Sequence, residues 1–173
     1  MLQMDFALTP FRPVPEIDTA SVALEISHGR LSATWLIRGE LDAISVPPVA
    51  AEARRITGLW EHTCVEIFLR EAFDSCYHEL NLSPSGDWQC FSFSDLRAGR
   101  RESGAVVPVS FERDLTRDSL EIRATFALQP VIARPVIGLS TVIETGDHLH
   151  YFALAHGERP DFHDPAYHQE LQP

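Results

Sequence analysis

Hydrophobic and polar residues alternate with a period of two along most of this chain. The segment SVALEIS at positions 21–27 is typical, because Val22, Leu24 and Ile26 fall on one side of an extended strand. The dipeptide His28-Gly29 then indicates a hairpin turn. The pattern recurs between turn signals such as SPSG and predicts about nine short strands, at 21–27, 30–40, 64–70, 76–83, 87–93, 106–112, 119–128, 135–144 and 148–155.

Sustained helical periodicity is nearly missing, so the pattern predicts an all-β fold. Many short strands with frequent turns are typical of an antiparallel β-sandwich, here jelly-roll-like with about nine or more strands. The length of 173 residues fits a single domain, 1–173. Three prolines between positions 10 and 15 predict that residues 1–18 form an extended N-terminal arm, and residues 156–173 are predicted to be a C-terminal loop tail.

The charge of the chain excludes some partners. Acidic residues outnumber basic ones by 25 to 14, which gives a net charge of -11, and no basic stripe offers a footprint for nucleic acid. We see no signal peptide and no apolar run of membrane-spanning length, so we expect a cytoplasmic protein without a membrane partner. Three cysteines, an odd number, favour free thiols in a reducing compartment.

Three segments resemble the DOMON-like branch of the family 9 carbohydrate-binding modules. They are LWEHTCVEIFLR at 59–70, YHELNLSPSGDWQCFSF at 77–93 and HGERPDFHDP at 156–165. The resemblance implies a jelly-roll-like sandwich that binds sugars in related modules, sometimes with structural calcium, and binds haem in other DOMON domains. Where the family often has an acidic residue this chain has Cys64, which lacks the oxygen ligand that calcium prefers.

Strand alternation brings candidate ligand-binding side chains together. Glu66 falls on the face opposite Val65 and Ile67, and the next strand has its own polar row. If these strands pair, their carboxylates point to one concave surface, where carboxylate and amide groups suit sugar hydroxyls and aromatic faces suit sugar C–H groups. We therefore predict a small polar ligand, most simply a saccharide, bound by Trp60, Glu66, Tyr77, Glu79, Asn81 and Trp88.

Two other interpretations of the carboxylates stay open. Glu66 and Glu79 are also compatible with arginine pairing on a solvated sheet face, as is usual for strand carboxylates. Glycoside hydrolysis needs two carboxyl groups at a defined separation, which a sequence does not supply. We expect a non-catalytic module, with glycoside hydrolase activity as the alternative.

The histidines give a second hypothesis, a haem- or metal-binding DOMON-type domain. The candidate ligands are His148, His150, Asp161 and His163, since imidazoles bind zinc or copper and ligate haem iron. Their spacing matches no zinc motif and no CxxCH attachment site is present, so no cofactor is predicted, with calcium or haem as alternatives. A third hypothesis is a protein-interaction sandwich, which would bury about 800 Å² per partner. The oligomeric state is not predicted.

Overall fold

The structure, a computed structural model, describes residues 2–129 and 131–171 and is all-β. These residues contain no α-helix, and their helical turns are short 3₁₀ turns at Leu41–Ala43, Leu59–Glu61 and Pro165–Tyr167. No helix in this part of the chain is long and apolar enough to cross a membrane. The strands are β1 (Leu2–Pro10), β2 (Ile17–Ser27), β3 (Arg30–Gly39), β4 (Cys64–Glu71), β5 (Tyr77–Leu82), β6 (Trp88–Phe93), β7 (Arg101–Glu102), β8 (Val106–Leu115), β9 (Ser119–Leu128), β10 (Pro135–Thr145), β11 (His148–Ala153) and β12 (Gln169–Glu170).

The described strands form one continuous antiparallel path. Their order is β7-β6-β5-β4-β10-β11-β1-β2-β3-β9-β8, and the short β12 pairs with β10 off this path. The path passes through β1, because Leu8 pairs with β2 while Thr9 and Pro10 pair with β11. The prediction of an all-β, antiparallel fold is therefore confirmed, and the described strands form one curled sheet.

The N-terminal segment corrects the prediction of an arm over residues 1–18. Leu2–Pro10 is instead the strand that joins the two halves of the sheet. The physical reason is its own alternation, since Phe6 and Leu8 are buried in the core while their neighbours face outward. The prolines limit only the end of this strand, which stops at Pro10.

A single main core lies inside the curl. It combines Trp35 and Leu120 from one half of the sheet with Ile67 and Leu139 from the other. Trp35 is 1% exposed, so this tryptophan is structural, as its alternation predicts. We call the opposite side of β6, β5, β4, β10 and β11, which faces away from this core, the outer face.

Several local predictions can be compared with the strands. His28 and Gly29 have φ values of 50° and 74°, as a tight hairpin turn between twisted strands requires. The predicted strand at 119–128 coincides with β9. The predicted loop tail also forms a short strand, because β12 pairs with Val136 and Ile137 of β10 and anchors the end of the tail to the sheet.

Gly39, at the end of β3, is a position where a side chain does not fit. Its φ is +152°, and a Cβ atom would collide with the carbonyl oxygen of Glu16, which accepts the backbone N–H of Glu40 at 2.8 Å. We expect Gly39→Ala to lower the free energy of unfolding by about 1–3 kcal/mol, measured by denaturant titration. The control is Gly104→Ala, where a Cβ meets no atom within 4 Å. Equal losses for both variants would contradict this account.

Candidate functional site

A cavity of about 480 Å³ opens on the outer face. Strands, the 3₁₀ turn at Leu59–Glu61, the loop after β6 and the C-terminal tail all contribute to its walls. We call it the outer cavity. Its principal side chains are Trp60, Glu66, Glu79, Arg100, Tyr151 and Phe162.

The strand register aligns polar side chains beneath this cavity. Glu66 of β4 lies opposite Asn81 of β5 on one side and opposite Ser140 of β10 on the other, and Asn81 lies opposite Gln89 of β6. All four side chains are at most 2% exposed. Glu79 lies two residues before Asn81 on β5, and its side chain is therefore on the same face. The structure therefore brings Glu66, Glu79 and Asn81 together on one face of the sheet, because alternate residues of a strand point to the same face.

Glu66 is a buried carboxyl group with one hydrogen bond from a neighbouring strand. The hydroxyl of Ser140 donates to Glu66 Oε2 at 2.9 Å. Burial, with the nearby charge of Glu79 as a second cause, raises the pKa of Glu66 to about 8. At neutral pH the group is therefore mainly protonated, and it both donates and accepts hydrogen bonds.

Glu79 has the second buried carboxyl group, and it is 6% exposed. The amide of Asn81 donates to Glu79 Oε1 at 2.9 Å, so Asn81 positions Glu79 and does not itself line the cavity. Burial raises the pKa of Glu79, while the Asn81 hydrogen bond and the charges of Arg100 and Arg97 act in the opposite direction. Two carboxyl groups with raised pKa values thus form the floor of the cavity.

Tyr77 lies beside the cavity and holds the tail against the sheet. Its hydroxyl is 2.7 Å from His163 Nδ1 and accepts the backbone N–H of Arg97 at 3.1 Å. Burial is the main cause that lowers the pKa of His163 to about 4, so the ring is neutral at pH 7. The other ring nitrogen, Nε2, is 3.6 Å from Glu79 Oε2.

An ion pair fixes the same part of the tail from outside. Arg97 of the loop after β6 binds Asp161 at 2.6 Å, and Asp161 also accepts the backbone N–H of His163 at 3.1 Å. Phe162, which lies between Asp161 and His163 in the sequence, is thereby kept at the cavity.

Aromatic rings form the apolar walls. Trp60 meets Phe91 edge to face at 6.0 Å, and Tyr151 meets Phe162 in the same way at 5.9 Å. The guanidinium of Arg100 lies 5.0 Å from the Phe91 ring centroid and 6.0 Å from that of Trp60. Trp60 therefore lies at the cavity and is partly exposed.

The structure does not bring Trp88, predicted as a ligand-binding residue, into this set. Trp88 lies opposite Leu82, packs against the main core and has Arg55 over its ring at 5.0 Å. The reason is the alternation of side chains along β6. Phe91 and Phe93 lie on the outer face, and Trp88 lies on the core face.

The four candidate metal ligands do not come together in one group. His148 and His150 lie on the face of β11 that is opposite the cavity. His150 pairs with Ile143, while Tyr151, the next residue, faces the cavity. His150 Nε2 is 2.7 Å from the Thr145 hydroxyl. Asp161 and His163 are in the tail, within the contacts described above. Within residues 2–129 and 131–171, no group of three or more His, Cys, Asp or Glu side chains is placed to hold a metal ion.

Comparison with known proteins finds a likeness in structure alone. No family model matches the chain, and no curated protein matches it. Among solved structures, the chain is similar to the "putative carbohydrate-binding protein" of Bacteroides uniformis ATCC 8492, with a TM-score of 0.67 over 98% of this chain and 85% of that chain. The two sequences are 15% identical, so the likeness shows a shared fold.

The raised pKa of Glu66 predicts a pH-dependent stability. Between about pH 4.5 and about pH 8 the native protein keeps this proton while the unfolded chain releases it, so the stability of the wild type falls as the pH rises through that window. We expect Glu66→Gln to match the wild type near pH 5 and to be more stable at pH 8, by a few kcal/mol. Denaturant unfolding at three pH values measures this difference.

The control for this prediction is Glu52→Gln, which changes an exposed carboxylate outside the cavity. It should shift stability equally at each pH. A Glu66→Gln difference that does not change with pH would show that Glu66 ionises normally in the native state.

Proposed function

We propose that this protein is a non-catalytic module that binds a saccharide in the outer cavity. The observation that supports it most is the pairing of two buried carboxyl groups with aromatic walls. Glu66 and Glu79 each accept one side-chain hydrogen bond, from Ser140 and Asn81, and both groups line the cavity.

The chemistry of these groups matches a sugar. A hydroxyl group both donates and accepts, so it can pair with the protonated carboxyl of Glu66 and with the accepting oxygen of Glu79. The C–H face of a sugar ring packs on indole or phenol, which Trp60 and Tyr151 supply. The volume of about 480 Å³ falls within the range of about 300–1,000 Å³ that is usual for small-molecule sites.

The resemblance to DOMON-like family 9 modules supports the same proposal. All three resembling segments contribute to the outer cavity: 59–70 through Trp60 and Glu66, 77–93 through Glu79 and 156–165 through Phe162. The similar structure from Bacteroides uniformis has carbohydrate binding in its name. We therefore also propose that the curled sheet is a jelly-roll-like sandwich of this kind, with the cavity as its ligand site.

Glycoside hydrolysis is a second candidate, favoured by one observation. A carboxyl group whose pKa is raised beside a second carboxyl group is typical of a general acid in a glycosidase. Incubation with 4-nitrophenyl glycosides separates the two functions. Release of nitrophenol that is lost in Glu66→Gln would favour hydrolysis, and binding without release favours the module.

Trp60 gives a direct test of saccharide binding. We expect at least one of glucose, xylose and cellobiose to bind the wild type in calorimetry, and Trp60→Ala to weaken its affinity about ten-fold or more because a stacking wall is lost. The control is Phe73→Ala, since Phe73 is 88% exposed and lies outside the cavity. The proposal fails if none of the three sugars binds, or if Trp60→Ala binds as tightly as the wild type.

A further inference from the structure

The floor of the outer cavity has two carboxyl groups and no cation in contact with Glu66. Within the described part of the chain, the hydroxyl of Ser140 is its side-chain donor, and Glu66 forms no ion pair with an arginine. The two arginines that line the cavity are already engaged. Arg97 is paired with Asp161 at 2.6 Å, and Arg100 lies over the ring of Phe91 at 5.0 Å.

A buried acidic pair in which Glu66 has no cation in contact is an electrostatic site that a ligand can complete. Two carboxyl groups that share a dry surface do not both ionise readily, because burial and mutual repulsion oppose the charge. A positively charged group placed between them removes both obstacles and adds charge-assisted hydrogen bonds. The register holds Glu66 and Glu79 on adjacent strands of one face, so a single small group can reach both.

The aromatic walls of the cavity and the net charge of the chain both favour a positively charged ligand. Aromatic faces attract cations within about 6 Å, and Trp60, Tyr151 and Phe162 surround the cavity. The net charge of -11 produces a field that draws cations and repels anions. An anionic sugar could pair with Arg100 at the mouth, but it would then lie close to Glu79.

We propose that the ligand of the outer cavity is an amino sugar with a free ammonium group, which binds at Glu66 and Glu79 while the sugar ring packs on the aromatic walls. This inference rests on the saccharide-binding function proposed above and narrows it to one class of sugar. The ammonium group donates to both carboxyl groups, and Ser140 and Asn81 keep these groups in place.

Binding of this kind is coupled to a proton. Glu66, whose pKa is raised to about 8, holds a proton at pH 6.5 in the free protein. When the ammonium group binds, Glu66 becomes a carboxylate and its proton leaves for the solvent, while the ligand keeps its three N–H bonds and no covalent bond to carbon changes. The titratable and charged groups around this carboxyl and in the cavity are Glu61, Cys64, Glu79, Arg97, Arg100, Tyr151 and His163.

Calorimetry in two buffers of different ionisation enthalpy tests the proposal. At pH 6.5 we expect glucosamine to bind about ten-fold tighter than glucose, which corresponds to ~1.4 kcal/mol. We also expect it to release about one proton per molecule bound, seen as a buffer-dependent enthalpy. N-acetylglucosamine has the same ring without the charge, and glucose has neither nitrogen nor charge, so both should bind without this release.

Glu66→Gln is the informative variant. It should lose the proton release and bring glucosamine to within about three-fold of glucose, because the amide has no charge to gain. Thermal unfolding confirms that the variant is folded, and Glu52→Gln should keep both the preference and the release. If glucose binds and glucosamine shows neither preference nor release, the amino-sugar inference is wrong and the saccharide function stands. If none of glucose, glucosamine and N-acetylglucosamine binds, the amino-sugar inference is wrong, and the saccharide function is also wrong when xylose and cellobiose fail to bind.

Discussion

The burial of two carboxyl groups side by side on one sheet face is the constraint on which the site depends. Burying a charged group costs several kcal/mol unless it is paired, so the native state holds Glu66 mainly protonated and supports it from Ser140. The register of β4 against β5 makes this burial unavoidable, because a shift by one residue would turn Glu66 into the hydrophobic core. Such a cost in folding is understandable where the groups serve a ligand.

The C-terminal tail converts this polar face into a cavity. It crosses the sheet above Gly138 of β10, where a Cβ atom would collide with the ring of His168. The His168 ring in turn lies 2.8 Å, through Nε2, from the carbonyl oxygen of Phe162. Glycine at this position therefore lets the tail approach closely, and the contacts of Tyr77 and Asp161 complete its attachment. The sheet supplies the hydrogen-bonding floor, and the tail supplies part of the apolar wall.

Strand alternation was enough to predict most strands and the shared face of Glu66 and Glu79, because the period of two is a local property. The assignment of Trp88 did not follow strand alternation. It was based on the position of Trp88 after a turn, although alternation along β6 places this side chain on the core side. The contributions of Arg100, Tyr151 and Phe162 were not predicted. Arg100 lies in the loop after β6, Tyr151 on β11 and Phe162 in the tail, and such long-range neighbours leave no mark in a local pattern.

The protonation of Glu66 in the native protein is the central claim, and carbon-13 NMR of the glutamate side-chain carboxyl groups measures it most directly. A signal that disappears in Glu66→Gln identifies the residue. The account predicts that this signal titrates near pH 8 in the free protein and shifts when a sugar is added at pH 6.5. A titration near pH 4.3, the ordinary value for glutamate, together with no response to sugar, would contradict it.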